Sequence, residues 1–424
     1  MGITWQRLIA PAKKAARFIA RQTHNFRLML LRRALHAVAT NLTLQYNSIY
    51  ATLLGANSMQ LGSLQSVGSA IGALASVPAG WFIDYYSLKN VFLIGMALMA
   101  ASGLVYGLAP HWAWLYLAIV LASLGMRVAC TACSVTCAAE LSNQERATGR
   151  GFCRTISSLL TLVTPLLAAW GISTLGGISA RSIRPLYIIQ AVLFVAILGL
   201  LWVTFRYRPA DRDKAHRRAP LLSGLTDILK QSPDVVRLVL VVGLMELPWS
   251  MSQPFTALYA HQFKGADEFL LGGISTAITL VPMLTSIPLG RLADRYGRKR
   301  ILFAIAPLGY LANLALVFAP ASGLAQPVFL LSYGILFGFH SMAMALASAM
   351  TAEIMPKEQM GRWIGMVSLF RGLLSIPAPL IGGAIWDYVG PQYVFFAAIA
   401  IDILLRLPLL SSIRETLNIT TAKK

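Results

Sequence analysis

The chain has 424 residues, of which 57% are hydrophobic and only 12% charged, and its mean hydropathy is +0.65. A soluble globular domain is about half apolar and about a quarter charged, so this composition excludes an ordinary soluble protein. The net charge of +20 would suggest a nucleic-acid partner in a soluble protein. Here the basic residues concentrate in alternate connections between apolar stretches, which indicates membrane topology and contact with anionic lipid instead.

Most apolar stretches run for twenty residues or more, the length that a helix needs to cross the hydrocarbon layer at about 1.5 Å per residue. A spanning helix pairs its backbone groups internally, and the stretches lack the alternation of barrel strands. We therefore predict twelve spanning helices. They are expected to begin near Arg33, Leu61, Val91, Trp112, Thr148, Pro185, Val235, Phe269, Ile301, Gln326, Gly361 and Tyr393.

The basic residues lie before the first predicted span and after the fourth, the sixth and the eighth. The opposite connections hold only a few: Arg181, Arg184 and Lys264. By the positive-inside rule, both termini and the central linker are expected to be cytoplasmic. We expect a multi-pass protein of the plasma (inner) membrane that contacts anionic headgroups on the cytoplasmic side.

Three segments outside the spans have their own character. Residues 1–30 carry apolar and basic side chains on opposite helical faces, which predicts a cytoplasmic amphipathic helix. Residues 207–234 form a basic cytoplasmic linker, and residues 413–424 a cytoplasmic tail. Three cysteines share one side of the fourth span and are interpreted as small packing residues, so neither a metal site nor a cofactor is predicted: Cys130, Cys133 and Cys137.

An internal repeat divides the chain. The segment Pro78–Asp84 matches Pro288–Asp294 at an offset of 210 (288 − 78), and Ala139–Leu141 matches Ala352–Ile354 at an offset of 213 (352 − 139). Such duplication is typical of transporters built from two related helical bundles.

The second copy continues into the pattern Gly-x-x-x-Asp-[Arg/Lys]-x-Gly-[Arg/Lys]-[Arg/Lys]. Its matching residues are Gly290, Asp294, Arg295, Gly297, Arg298 and Lys299, whereas the first copy keeps only Gly80, Asp84 and Lys89. In this motif and in span count the chain resembles the major facilitator superfamily. The resemblance implies an all-α membrane protein with twelve transmembrane helices in two pseudo-symmetric six-helix bundles, residues 31–206 and 235–412, which work by alternating access.

The motif has a physical interpretation of its own. Gly290 permits close approach of two helices, and Asp294 at a helix end can pair with a loop arginine or a neighbouring helix N-terminus. The resemblance implies that this contact latches the cytoplasmic side. Alternatively, the basic residues of the loop only anchor it at anionic headgroups.

Four ionisable residues are predicted near mid-membrane, where a charge costs about 2.5–3.5 kcal/mol on insertion scales and needs a partner or a function. They are Arg127, Glu246, His340 and Arg371. The resemblance implies that the first, fourth, seventh and tenth helices line a central cavity. Pro248 and Pro254 are expected to interrupt the seventh helix beside Trp249 and Gln253. Asn41 and Gln45 of the first span are expected to face the same space.

Two interpretations of these charges remain open. In the first, Arg127, with Arg371, binds an anionic group while Glu246 or His340 exchanges a proton. In the second, Arg127 or Arg371 pairs with Glu246 as a structural ion pair. Asp402 and Arg406, four residues apart, are expected to form a structural pair on a peripheral helix.

The sequence thus predicts a proton-coupled secondary active transporter for a small anionic or zwitterionic metabolite or an anionic chelate. One alternative is a multidrug efflux antiporter, although the fifth helix keeps only Pro165 of the pattern of that group. Another is a non-transporting membrane scaffold. An enzyme is not expected, because no nucleophile–base set or nucleotide loop occurs on a water-exposed segment. The expected partner is a small-molecule substrate, without nucleic acid, and the protein is expected to be a monomer.

Overall fold

A computed structural model describes residues 21–85, 87–141, 146–205, 233–354 and 370–413, together with Ile19, Val367 and Glu415. Side chains are described throughout these ranges except at 76–85, 131–140, 146–148, 150, 233–235 and 352–354. Most of the predicted amphipathic helix, the linker, most of the tail and the predicted span start at Gly361 lie outside the described residues. The regular secondary structure of the described residues is entirely helical.

The helices follow the predicted spans in chain order. They are α1 His24–Thr43, α2 Asn47–Leu53, α3 Ser58–Tyr85, α4 Leu88–Leu108, α5 Trp114–Glu140, α6 Arg146–Thr174, α7 Ala180–Thr204, α8 Pro233–Gln262, α9 Glu268–Tyr296, α10 Arg298–Val317, α11 Ala325–Ser341, α12 Ala343–Ile354, α13 Ala378–Tyr388, α14 Tyr393–Ile401 and α15 Leu407–Ser411. The largest difference is at the first span, predicted from Arg33, because α1 already begins at His24.

Within the described ranges, seven helical segments are long and apolar enough to cross a membrane: Leu88–Leu108, Gly151–Thr174, Ala180–Thr204, Glu268–Tyr296, Arg298–Val317, Ala325–Thr351 and Tyr393–Ser411. Large apolar side chains such as Leu284, Ile287 and Trp202 are exposed along them. Apolar exposure on this scale is stable only against lipid, so the protein is a multi-pass α-helical membrane protein.

The predicted interruption of the seventh span is wrong. Helix α8 continues through Pro248 and Pro254 without a break. Each proline removes one backbone donor, which a long packed helix tolerates because neighbouring hydroxyl groups bond to the backbone. The carbonyls left without a helical donor are those of Leu244 and Ser250, four residues before each proline.

The irregular turns lie elsewhere. A 3₁₀ turn at Leu44–Tyr46 joins α1 to α2, and Met342 separates α11 from α12. Residues Asp402–Arg406 form a π-turn between α14 and α15. Two of these three irregularities flank the cavity described below, as expected for backbone that serves a site inside a membrane protein.

Helices α3 and α13 cross at two glycines, where their backbones are in direct contact. A Cβ atom on Gly62 would lie 2.3 Å from the Pro379 carbonyl oxygen, and one on Gly383 would lie 2.7 Å from the Ser58 carbonyl oxygen. The Met59 amide also donates to Asp387 Oδ2 at 3.1 Å. The side chains are too small to separate the backbones, so this crossing is a tight seal.

Helices α6 and α9 make a second crossing at the same end of the molecule. A Cβ atom on Gly272 would lie 3.1 Å from the Pro165 carbonyl oxygen, and Thr276 donates to the Leu162 carbonyl at 3.0 Å. Together the two crossings close the end at which α6 terminates and α9 begins.

The other end is where α9 joins α10, and we call it the signature end because it carries residues 290–299. Among the described residues, Cβ atoms built on Gly151 of α6 and Gly290 of α9 would have no neighbour within 4 Å at this end. The Asp294 side chain is 67% exposed. The close contacts given above between α6 and α9 therefore lie at the closed end, and both glycines near the signature end have open space beside them.

Candidate functional site

Helices α8, α10 and α14, the break between α11 and α12, Arg371 and the π-turn line a cavity of about 260 Å³. Its apolar wall comes mainly from Met245, Trp249, Phe337 and Met344. Its polar groups are Tyr310, Asn313, His340, Arg371, Asp402 and Arg406. A largely apolar cavity with a few convergent polar groups is the usual form of a small-molecule site.

Three aromatic rings stack along the apolar wall. The centroids of Trp249 and Phe337 are 5.2 Å apart with an interplanar angle of 24°, and those of Phe337 and Tyr333 are 5.5 Å apart at 23°. Tyr333 lies in the core and its hydroxyl bonds to Thr256. Trp249 is 42% exposed and ends the stack. The wall therefore presents a firmly supported indole to the cavity.

Glu246 and Arg371 form an ion pair. Arg371 donates to Glu246 Oε2 from Nε at 2.9 Å and from Nη2 at 2.5 Å. Ser250 contacts the other carboxylate oxygen at 3.5 Å. The Arg371 side chain is 35% exposed and that of Glu246 17%. Of the two arginines that the sequence offered as partners, the structure pairs Arg371 with Glu246, and the two charges neutralise each other.

Asp402 and Arg406 form a second ion pair within the π-turn. Arg406 Nε and Nη2 both donate to the Asp402 carboxylate, the second at 2.6 Å, and the Tyr310 hydroxyl donates to Oδ2 at 2.5 Å. Arg406 is 1% exposed and Asp402 6%. The sequence predicted this pair but not its place in the cavity. The position of Asp402 along its predicted span could have placed it in the cavity. It lies nine residues (402 − 393) after the start of that span, and Arg371 lies ten (371 − 361) after the start of its own.

His340 lies at the last turn of α11, just before the break at Met342. Its ring packs against α10 where Gly309 leaves room, because a Cβ atom there would lie 2.5 Å from Nδ1. That nitrogen is buried and has no hydrogen-bond partner among the described residues. His340 therefore joins the cavity wall, as its predicted depth suggested, beside Tyr310.

The polar residues predicted for the first span connect helices instead of lining the cavity. Asn41 donates to Thr161 Oγ1 at 3.1 Å and to the Ala37 carbonyl at 2.8 Å, and Gln45 donates to the Pro165 carbonyl at 3.3 Å. These bonds attach α1 and its 3₁₀ turn to α6.

Arg127 and Gln253 also lie apart from the cavity lining. Arg127, on α5, is exposed and lies over Gly72 of α3, where a Cβ atom would approach Nε to 3.3 Å. Gln253 is exposed on α8. Of the predicted site, Trp249, His340 and Arg371 line the cavity, and Glu246 is joined to it through its ion pair with Arg371. Arg127 and Gln253 lie outside the cavity lining.

The signature loop is bound to the end of the last helix. Asp294 pairs with Arg298 at 3.4 Å, and Arg295 lies over the Tyr296 ring. Lys299 donates to the Ser411 and Ile413 carbonyls at 2.7 and 2.6 Å. Gly80 and Asp84, in the first copy, lie in α3, and the side-chain contacts of this part of the helix lie outside what the structure describes.

Glu415 bonds to the start of α10. Its carboxylate accepts from the amides of Arg298 and Lys299 at 3.1 and 3.4 Å. A carboxylate at a helix N-terminus is stabilised by the helix dipole. Gly297 turns the chain into α10 with φ = +101°, a conformation that favours glycine.

We expect Gly297→Ala to destabilise this loop by about 1–3 kcal/mol, because the backbone would be strained and the new Cβ atom would lie 2.5 Å from the Glu415 carboxylate. The measurement is a thermal melt of the detergent-solubilised protein. Gly290→Ala is the control, since a Cβ atom there meets open space. Equal melting temperatures for the two variants would contradict the expectation.

The comparisons with known proteins agree with this architecture. The profile of the Major Facilitator Superfamily matches residues 30–264 and 238–415. The chain is 26% identical over 376 residues to the multidrug resistance protein MdtG of Enterobacter lignolyticus, covering 85% of each chain. It is 24% identical over 384 residues to the multi-drug resistance efflux pump PmrA of Streptococcus pneumoniae, covering 88% of this chain and 92% of the relative.

Among solved structures, that of the nucleoside transporter NupG superposes with a TM-score of 0.77 at 12% identity, covering 92% of this chain and 99% of that one. At this identity the superposition establishes a shared fold alone. The profile matches cover most of the chain and meet near its middle. The chain belongs to the major facilitator superfamily.

Proposed function

We propose that this transporter exports amphipathic aromatic compounds in exchange for protons. The observation that carries the proposal is the supported indole of Trp249 beside the neutralised Glu246–Arg371 pair. Stacking favours planar rings by about 0.5–1.5 kcal/mol beyond the area they bury. A locally neutral ion pair can orient a polar group without demanding a particular net charge. The relatives named as a multidrug resistance protein and a multi-drug resistance efflux pump support export of drug-like compounds.

The proposed architecture is twelve spans in two six-helix bundles with both termini cytoplasmic, in the plasma (inner) membrane. On that orientation the signature end faces the cytoplasm, so the state described here is open inward. The latch would then be disengaged, since Asp294 is exposed and pairs with Arg298 of its own loop. Closing this end would bring the Gly290 face of α9, which has open space beside it, against α6.

A small anionic or zwitterionic metabolite is a second candidate substrate. The exposed guanidinium group of Arg127 near the middle of α5 favours it, because arginine binds carboxylates in a bidentate geometry. A static scaffold has no comparable support, since the relatives are named as resistance proteins and efflux pumps.

The test is gradient-driven uptake into proteoliposomes, with ethidium as an aromatic cation, norfloxacin as an aromatic zwitterion and succinate as a non-aromatic anion. We expect uptake of the aromatic compounds. Trp249→Ala should raise their apparent KM about tenfold, the equivalent of 1.4 kcal/mol, whereas Trp249→Phe should change it little. Trp170→Ala is the control, because Trp170 is exposed on α6 outside the cavity. Uptake of succinate alone, lost in Arg127→Ala, would replace the proposal with the second candidate.

A further inference from the structure

We propose that the Asp402 carboxylate, bound by Tyr310 and Arg406 at the inner wall of the cavity, is the site that takes up the coupling proton. The proposal rests on the proposed proton-coupled export and extends it to a site that family membership does not assign. Three independent features carry it: the contacts of the carboxylate, the unsatisfied nitrogens around it and the backbone on which it lies.

The contacts of Asp402 come from two helices and converge on one carboxylate. Tyr310 reaches it from α10 and Arg406 from the next turn of its own helix. The cluster lines the cavity, so water that enters there can bring a proton to a carboxylate oxygen. Asp402 is nevertheless only 6% exposed to solvent, and Arg406 only 1%. The carboxylate is therefore both reachable and strongly sensitive to its charge state.

A purely structural role explains this cluster poorly. A buried ion pair adds little net stability, because desolvation offsets most of its attraction, and well-packed apolar side chains often serve as well. Among the described residues, Arg406 Nη1 and His340 Nδ1 are both buried without a hydrogen-bond partner. Buried polar groups are nearly always paired, so these two nitrogens keep hydrogen-bonding capacity for water or a ligand in the cavity or for a rearranged network.

The backbone beneath the pair is an irregular turn. The Leu407 amide donates to the Asp402 carbonyl across five residues, so the π-turn spans the interval from Asp402 to Arg406. Helices α14 and α15 are regular on either side. A one-residue change of register corresponds to about 100° of rotation, so conversion of this turn to an α-helix would re-aim Arg406 relative to Asp402.

Protonation of Asp402 changes the net charge of the groups around the cavity. With Asp402 ionised, Glu246 and Asp402 balance Arg371 and Arg406, and the cavity wall is neutral when His340 is neutral. A proton from water that adds to an Asp402 oxygen weakens its bonds from Arg406 and leaves one net positive charge. Tyr310 stays protonated throughout. An aromatic cation is then repelled, so proton and substrate occupy the cavity in alternation, which is antiport.

The first test is independent of transport. Infrared difference spectra of the purified protein, titrated with acid, should contain a protonated-carboxyl band that is absent from Asp402→Asn and present in Asp267→Asn. Asp267 provides a matched control because it caps α9 in an exposed loop, where asparagine caps equally well. A titrating band that persists unchanged in Asp402→Asn would overturn the proposal whether or not any substrate has been found.

The second test measures coupling in transport. In proteoliposomes, Asp402→Asn should reduce ethidium accumulation driven by a pH gradient about tenfold or more, and it should also slow ethidium exchange without a gradient, because the neutral side chain leaves the cavity wall with one net positive charge. Asp267→Asn is the control and should keep both activities. Accumulation equal to that of the wild type would overturn the proposal. Absence of both activities in the wild type itself would contradict the proposed function and leave the infrared result to decide on the proton site.

A milder variant covers the case in which Asp402→Asn does not fold. Tyr310→Phe removes one donor from the ionised carboxylate and leaves the ion pair in place. We expect the midpoint of the infrared titration to move up by about one pH unit, the equivalent of one charge-assisted hydrogen bond. A midpoint unchanged from that of the wild type would overturn the proposal.

Discussion

Replacement of Arg371 by glutamine should lower transport about tenfold or more and also lower the melting temperature, because it leaves the Glu246 carboxylate without its partner. Arg371 supplies two of the three hydrogen bonds that this carboxylate receives from side chains, counting the 3.5 Å contact with Ser250. Removal of one partner from a fully buried pair costs about 3–5 kcal/mol. Since Arg371 is 35% exposed, we expect about 1–3 kcal/mol here.

The double variant Glu246→Gln/Arg371→Gln distinguishes a structural pair from a functional one. Two glutamines can bond to each other without an unbalanced charge, so we expect the melting temperature to recover most of the loss. Transport should stay low, because the substrate has lost the charged groups that orient it. Thermal melts and proteoliposome uptake, with Arg181→Gln as an exposed charge-removal control, are the measurements. Recovery of transport in the double variant would show that the Glu246–Arg371 pair has a structural role and does not orient the substrate.

Sequence reasoning named Trp249, His340 and Arg371, which line the cavity, and did not name Tyr310 or Asp402 as part of it. It also named residues that lie outside the cavity lining: Asn41, Gln45, Arg127, Glu246 and Gln253. The depth of Glu246, His340 and Arg371 along their spans followed from the rise of a helix, because a spanning helix has a nearly fixed length. Which arginine pairs with Glu246 did not follow, since pairing depends on helix rotation and on neighbours distant in the chain. In the structure the partner of Glu246 is Arg371, which lies 125 residues further along the chain.

The backbone irregularities were the least predictable feature. Pro248 and Pro254 signalled a break that α8 does not contain. The π-turn at Asp402–Arg406 contains no proline or glycine itself, and Pro408, two residues after it, is the one local signal beside it. A proline costs one donor, which Ser and Thr hydroxyl groups and packing can offset. The bonds that Tyr310 and Arg406 make to Asp402 accompany this π-turn, and the one from Tyr310 depends on tertiary packing.

Gly62→Ala should have the largest conformational effect, because the added methyl group would lie 2.3 Å from the Pro379 carbonyl oxygen and 3.0 Å from its carbon. Both atoms belong to the backbone, so no rotamer change can relieve the clash, and α3 and α13 must separate. Overpacking of this kind costs about 1–3 kcal/mol. The added methyl group raises the free energy only of the state in which α3 and α13 are in contact. If that cost is about 2 kcal/mol, the ratio of the two states shifts about thirtyfold toward the state closed at the signature end.

Gly199→Ala on α7 is the matched control. It makes the same chemical change within a helix, but its Cβ atom meets no neighbour within 4 Å, so it reports only the intrinsic gain of about 1 kcal/mol from glycine to alanine. Nitroxide labels at the exposed positions Leu175 and Phe269, in a background without the four cysteines, would report the separation of α6 and α9 at the closed end.

We expect Gly62→Ala to shift the label distances to longer values and to slow transport, since alternating access requires both states at comparable free energy. Gly199→Ala should leave both unchanged. Identical distance distributions for the two variants would mean that α3 and α13 separate without consequence for α6 and α9. The two crossings would then open independently, and the chain could not move as two rigid bundles.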